Sequence, residues 1–470
     1  MLDAPLRRGG GSSLFDEEPP IVGLGHTATS KPPNLLDLRA VPLSMRDSAC
    51  WAALLLAAAA SAAPELSTNG RWITLANNRS RVVQLRCVNW YGLDQKDFAP
   101  GGLDLQPLGA LAARVVALGF NCVRLPWSLQ LFRDDPPVAR DVLSANADLW
   151  PRDAPAPRST AVMDATVNAL DDAGLMVVLD NHVGRADWCC DERDGDGLWF
   201  NSEYSENAWI ATWASVAARY RGRVVGADLR NEVRPARGRA PTWGDGGPHD
   251  WRAAAERCAA AVLAASPELL VVVGGLDFGL DLARAARFPV RLPARSRDKL
   301  VYSAHQYAWS CPACVAERDR ARFEAKLDRE WGYLVDAAVA PVWLGEFGTT
   351  HDAAGVGAAG DGAARPRAPP QGMWFQWLLA YAARKRVSYA YWSLDGTQSS
   401  GRTRRRGAEE TYGLLDATWS RPASDALIAE LRRLELPNDL GVEEADALFR
   451  AGHPDGFEKT ERRGALPGEL

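Results

Sequence analysis

Positive charge is in short supply. Lys and Arg number 54 against 59 Asp and Glu, a formal net charge of −5. There is thus no basic excess to draw nucleic acid, and the substrate need not be charged. Long apolar runs are also missing. The most apolar stretch, Cys50 to Ala60, is too short to span a bilayer, and no other segment is long enough. No Gly-rich phosphate turn follows a predicted strand, which argues against a doubly wound nucleotide-binding sheet. Phe and Tyr are sparse, at 12 and 10, while Trp reaches 18. Indole faces make good platforms for sugar rings, although core packing must account for most of them.

The 470 residues are 47% hydrophobic, ample for one large core. Residues 1–44 hold Pro, Gly and Ser clusters without periodicity and are expected to be disordered or to precede the true start. From Met45, a charged residue, an apolar run and the small residues Ser61-Ala62-Ala63 make a secretory signal, 45–63. Translation from Met45 is the favoured reading, with a short signal anchor as the alternative. The expectation is a secreted or endomembrane-lumen protein, monomeric, with a catalytic domain over 64–436 and a polar, peripheral tail over 437–470.

Eight short Val/Ile/Leu-rich runs read as buried parallel strands. They are Val82–Tyr91, Asn121–Trp127, Leu175–His182, Val224–Glu232, Leu269–Leu276, Leu300–Tyr307, Pro341–Gly348 and Val387–Leu394. Amphipathic segments alternate with them: Leu105–Leu118, Thr160–Ala173, Asn207–Tyr220, Trp251–Ala265, Leu280–Ala286, Glu317–Ala338, Met373–Arg384 and Ser424–Leu434. Eight strand-then-helix units predict a single (β/α)₈ TIM barrel of the α/β class. The stretch Arg71–Leu85, alternating around Asn77-Asn78, predicts a hairpin that plugs the barrel bottom. Two long loops, Asp134–Ser159 and Ala353–Gly372, follow strands two and seven and so lie over the catalytic face, the second with a disorder-prone composition.

Barrel enzymes keep their chemistry at the C-terminal strand ends. Here these read CVRLPW, VLDNH, LRNE, SAHQY, WLGEFG and YWSLDG, presenting Arg124, His182, Asn231, Glu232, His305, Tyr307, Glu346 and Trp392. Packing alone does not place charges there, because an unpaired buried charge costs several kcal/mol. Two glutamates on strands four and seven suit glycoside hydrolysis, which needs one carboxylic acid and one carboxylate. Arg124 is the natural partner to keep Glu346 ionised, and Tyr307 the natural second donor. Asn231 suits the sugar 2-hydroxyl, and Trp392 suits the floor of the reacting sugar. His182 and His305 also fit as satisfied core histidines, and Arg402–Arg406 with Glu409-Glu410 fits a solvated loop, with a place at the cleft rim as the lesser reading.

This series of strand ends resembles the family 5 glycoside hydrolases, the cellulase-like retaining β-glycosidases, from about Trp72 to Leu434. It is most similar to the branch with a WCC motif after strand three, here Trp188-Cys189-Cys190. The resemblance implies Glu232 as acid/base and Glu346 as nucleophile, with Arg124, His182, Asn231, His305, Tyr307 and Trp392 in supporting positions. Strand one departs from the pattern, with Cys87 where many members have Gly. The implied activity is cleavage of a β-linked glucan, mannan or related glycoside by double displacement, endo- or exo-acting, with no cofactor or metal. A transglycosylase on the same site and a carbohydrate-binding pseudoenzyme are the alternatives. Both carboxylates are present, which argues against the pseudoenzyme.

Without Cys50, seven cysteines remain. Cys189-Cys190 and Cys311-x-x-Cys314 fall in loops on the catalytic face, and the expectation is two bridges that tie the first pair to the second. A four-cysteine zinc site is the rival, though adjacent ligands suit a tetrahedron poorly. Cys87, Cys122 and Cys258 are expected to be free and buried.

Overall fold

The computed structural model describes residues 63–190, 193–351 and 369–453. The expected signal as far as residue 62, everything before it, and most of the Ala353–Gly372 loop fall outside these residues. Eight parallel strands close into a barrel: β4 (Arg86–Asn89), β5 (Cys122–Ser128), β6 (Met176–Val183), β7 (Gly226–Asp228), β8 (Leu270–Gly274), β9 (Leu300–Gln306), β10 (Val342–Phe347) and β11 (Ser388–Tyr391), the last pairing back to β4. Their residues are almost all buried, because one face fills the barrel and the other meets the helices.

The helices stand close to their expected places, for example Leu108–Ala117, Ser159–Asp172, Glu206–Arg219 and Trp251–Ala265. Ser205 and Asp250 cap the last two by accepting from Ala208 N–H and Ala253 N–H. Tryptophan mortars the layer between strands and helices. Trp90, Trp127, Trp209, Trp213, Trp251 and Trp374 are fully buried. One helical turn apart, Trp209 and Trp213 both donate indole N–H to Leu229 C=O, at 3.1 and 2.9 Å. They anchor the chain just before Asn231 and Glu232.

At the bottom, β1 (Leu66–Asn69), β2 (Trp72–Leu75) and β3 (Asn78–Val82) form an antiparallel sheet. Leu66 and Ile73 from this sheet pack with Cys87, Cys122, Val178 and Trp343 at the barrel's N-terminal end. The plug is therefore the expected hairpin with one more strand. Among the described residues, no helix is long and apolar enough to cross a membrane.

Several expectations need correcting. Leu280–Ala286 is not a helix. The chain makes a short turn at Leu276–Gly279, with Asp277 and Phe278 at φ 53° and 61°, and Pro289 and Pro293 prevent a helix from forming later. The long segment Glu317–Ala338 does not begin as one helix either, because Arg318, at φ 55°, ends the preceding helix Pro312–Glu317 and helix resumes only at Arg320. The region after Leu436 is not merely peripheral. Helix Val442–Ala451 packs back on the plug, with Phe449 buried edge-on against Trp72 at 6.4 Å.

The cysteine pairing also differs. Cys189 bonds to Cys190, and Cys311 bonds to Cys314, so neither pair reaches across the mouth. Each pair is near in sequence and closes locally, whereas the loops after β6 and β9 belong to strands that are not neighbours. Cys87 and Cys122 are not free. They face each other in the β4–β5 register and are disulfide-bonded. Cys258 is free and buried.

Candidate active site

A cleft of about 550 Å³ opens at the C-terminal mouth, lined by His182, Trp188, Cys189, Cys190, Glu232, Tyr307, Glu346 and Trp392 among others. Arg124, Asn231 and His305 lie directly behind these, almost fully buried. All eight residues singled out at the strand ends thus converge on one site. β7 pairing stops at Asp228, short of the expected strand end, and Glu232 is turned inward at φ 42°. A non-glycine residue in the left-handed region carries backbone strain of the kind that collects at functional sites. Close packing from the other side needs Gly279, at φ 76°, since a Cβ there would come within 2.9 Å of the His305 ring.

Arg124 is the hub. Its guanidinium meets Glu346 Oε1 at 2.6 Å, Asp228 Oδ2 at 2.9 Å and Asp180 Oδ1 at 3.1 Å. It also donates to Asn89 Oδ1 at 3.0 Å and to Asn231 Oδ1 at 2.9 Å. Such a planar fork of donors is what a guanidinium supplies and an ammonium does not. Tyr307 donates to the other Glu346 oxygen at 3.0 Å. Burial opposes the Arg124 charge, but Asp180, Asp228 and Glu346 outweigh it and raise its pKa.

The two glutamates have different surroundings. Glu232 is only 8% exposed, and burial pushes its pKa up to about 7 against the pull of Arg234 and Arg124. Its Oε1 stands 3.1 Å from His305 Nδ1. Carboxylate oxygens of Glu232 and Glu346 and a His305 nitrogen all lie within 4.8 Å of one another. Burial drives both His182 and His305 down to about 4, so both rings are neutral near pH 7. His182 Nδ1 sits 2.6 Å from Asp180 Oδ2, which assigns the proton to Nδ1 and leaves Nε2 to accept from Asn231 Nδ2 at 3.3 Å.

Several site residues escaped the sequence reading. Asp180 and Asp228 back Arg124, and burial pushes them up to about 7 and about 6. An acid inside an apolar strand was the available signal for both. The loop around Arg402–Arg406 is not simply solvated. The Arg404 guanidinium lies 3.4 Å over the Trp188 ring and pairs with Glu410 at 2.9 Å, and all three line the cleft. Glu410 also accepts from Tyr91, which stacks parallel to Trp392 at 5.4 Å. Phe278 and Trp309 also line the cleft, edge-on to each other at 5.8 Å, and Trp309 is 51% exposed.

Residues 85–398 match the model of the Cellulase family (glycosyl hydrolase family 5). A glycosyl hydrolase 5 family protein of Chamaecyparis obtusa is 30% identical over 82% of this chain and 68% of its own length. An endoglucanase of Paenibacillus polymyxa is 31% identical over 72% of this chain and 81% of its own. A solved complex of an endocellulase from Pyrococcus horikoshii with cellotetraose superposes with a TM-score of 0.64 at 26% identity, covering 79% of this chain and 99% of that one. With these matches and two buried glutamates facing each other across the mouth of a (β/α)₈ barrel, the chain belongs to glycosyl hydrolase family 5 and is a glycosidase that hydrolyses O-glycosyl compounds.

Proposed function

We propose that the chain is a retaining hydrolase of a β-linked glucan, with Glu346 as nucleophile and Glu232 as acid/base. The observation that carries this is the separation of the two carboxyl groups, whose oxygens lie within 4.8 Å. Retaining pairs stand about 5–5.5 Å apart, whereas inverting pairs leave roughly 6.5–9.5 Å for a water. Glu346 faces a guanidinium and a phenol O–H, the surroundings of an anion. Glu232, raised to about 7, keeps a proton to give.

In the first step the Glu346 carboxylate attacks the anomeric carbon. The glycosidic C–O bond breaks, and Glu232 protonates the departing oxygen. In the second step Glu232, now a carboxylate, takes a proton from water as that water attacks the glycosyl ester and frees Glu346. Trp392 floors the reacting sugar, and Asn231 receives its 2-hydroxyl. Glucan is the favoured substrate because relatives include an endoglucanase and an endocellulase. The three disulfides among the described residues suit secretion into an oxidising compartment.

The test is the stereochemistry of the first product, followed by proton NMR on an aryl β-cellobioside. The β-anomer is expected first, and initial release of the α-anomer overturns the retaining reading. Glu346→Ala should abolish turnover of every substrate. Glu232→Ala should spare substrates with activated leaving groups in the first step, since these need little protonation.

A further inference from the structure

Of the three disulfides among the described residues, Cys189–Cys190 is the one that lines the cleft together with both glutamates. Cys87–Cys122 lies fully buried at the barrel bottom, and Cys311–Cys314 closes one turn after β9. The two sulfurs of Cys189 and Cys190 stand 3.6 and 3.5 Å from Asn231 Nδ2. The same nitrogen is 3.3 Å from His182 Nε2, while Asn231 Oδ1 accepts from Arg124 Nη2 at 2.9 Å. The carboxamide therefore has its oxygen fixed by a charged donor and its nitrogen between the imidazole and the disulfide.

We propose that the Cys189–Cys190 disulfide is a positioning element, holding the Asn231 carboxamide in the orientation that receives the 2-hydroxyl of the reacting sugar. This rests on the role given to Asn231 in the proposed function. The amide has two N–H groups. One is satisfied by the neutral His182 ring, and the other faces the sulfurs. Disulfide sulfur is a weak acceptor, so it orients the N–H yet yields it readily to a hydroxyl oxygen. A stronger acceptor there would compete with the sugar, and an apolar side chain would leave the amide free to turn. The covalent link keeps both sulfurs on one side of the amide, which two independent side chains would not do. The arrangement prepays the orientation before substrate arrives, so the 2-hydroxyl contact can strengthen in the transition state.

The test compares kcat/KM on an aryl β-cellobioside and on its analogue lacking the 2-hydroxyl of the reacting ring. The ratio of the two is independent of how much enzyme is folded, so a partly unstable variant still reports. Cys189→Ala combined with Cys190→Ala should lower this ratio by about tenfold, the worth of one net hydrogen bond. Asn231→Ala should lower it at least as far, and the triple variant should lower it no further than Asn231→Ala alone. Arg405→Ala, on the exposed loop beyond the cleft, should leave it unchanged. A wild-type ratio in the double cysteine variant overturns the proposal, as does a triple variant in which the two effects multiply. A wild-type ratio in Asn231→Ala removes the role of Asn231 and the proposal with it. Turnover surviving in Glu346→Ala strikes the proposed function instead.

Discussion

Burial pushes the Glu232 carboxyl up to about 7, against the opposing pull of Arg234 and Arg124. In the acid role proposed for it Glu232 must hold its proton, so kcat/KM for substrates with poor leaving groups should fall as pH rises through about 7. That limb should vanish in Glu232→Gln when an activated substrate is used. The same shift has a consequence for stability. A folded-state pKa above the unfolded value means the group supports the fold below about 4.5 and loses that support as pH climbs through about 7. Glu232→Gln should therefore gain stability at pH 8 relative to pH 4, by on the order of 3 kcal/mol in paired denaturation curves. Equal shifts at both pH values would contradict the burial account. Arg124 gives the opposite case. Arg124→Met leaves Asp180, Asp228 and Glu346 without their shared cation and should cost about 3–5 kcal/mol. Arg124→Lys should recover only part of this, because one ammonium cannot span the same partners.

Whole elements were legible where a single pattern ruled them. The barrel strands read from sequence because both their faces are buried, which leaves an apolar run that polar residues only terminate. The site read from sequence for the same reason: Glu346 and His305 are conspicuous on strands that have no packing use for them. What stayed hidden was contact between elements distant in sequence. Nothing near Arg404 announces Trp188, which lies beneath it from another loop. Cys87 and Cys122 looked like small apolar strand residues until the register of β4 and β5 set them side by side. That bond closes a span of 35 residues. Replacing both with Ala should lower unfolding free energy by about 3–4 kcal/mol, a model-dependent figure from loop entropy. Urea midpoints of the variant and the parent would measure it.

At the scale of the molecule, the barrel is closed below by a plug that draws on both flanks of the chain. β1 and β2 enter before the first barrel strand, and helix Val442–Ala451 arrives after the last, meeting at Trp72 and Phe449. Arg71 lies 4.0 Å over the Phe449 ring, and the Trp72 indole donates to Asp446 at 2.9 Å. Phe449→Ala should cost about 3–5 kcal/mol, since the ring is 1% exposed, while leaving KM unchanged because the cleft lies at the other end.

The position of that plug also decides how the enzyme can be mounted. Both Ala63 and His453 belong to the plug side of the barrel, so a linker or scaffold fused at either point leads away from the mouth. Immobilised through such a handle on a bead or an electrode, the catalyst would turn its mouth away from the support.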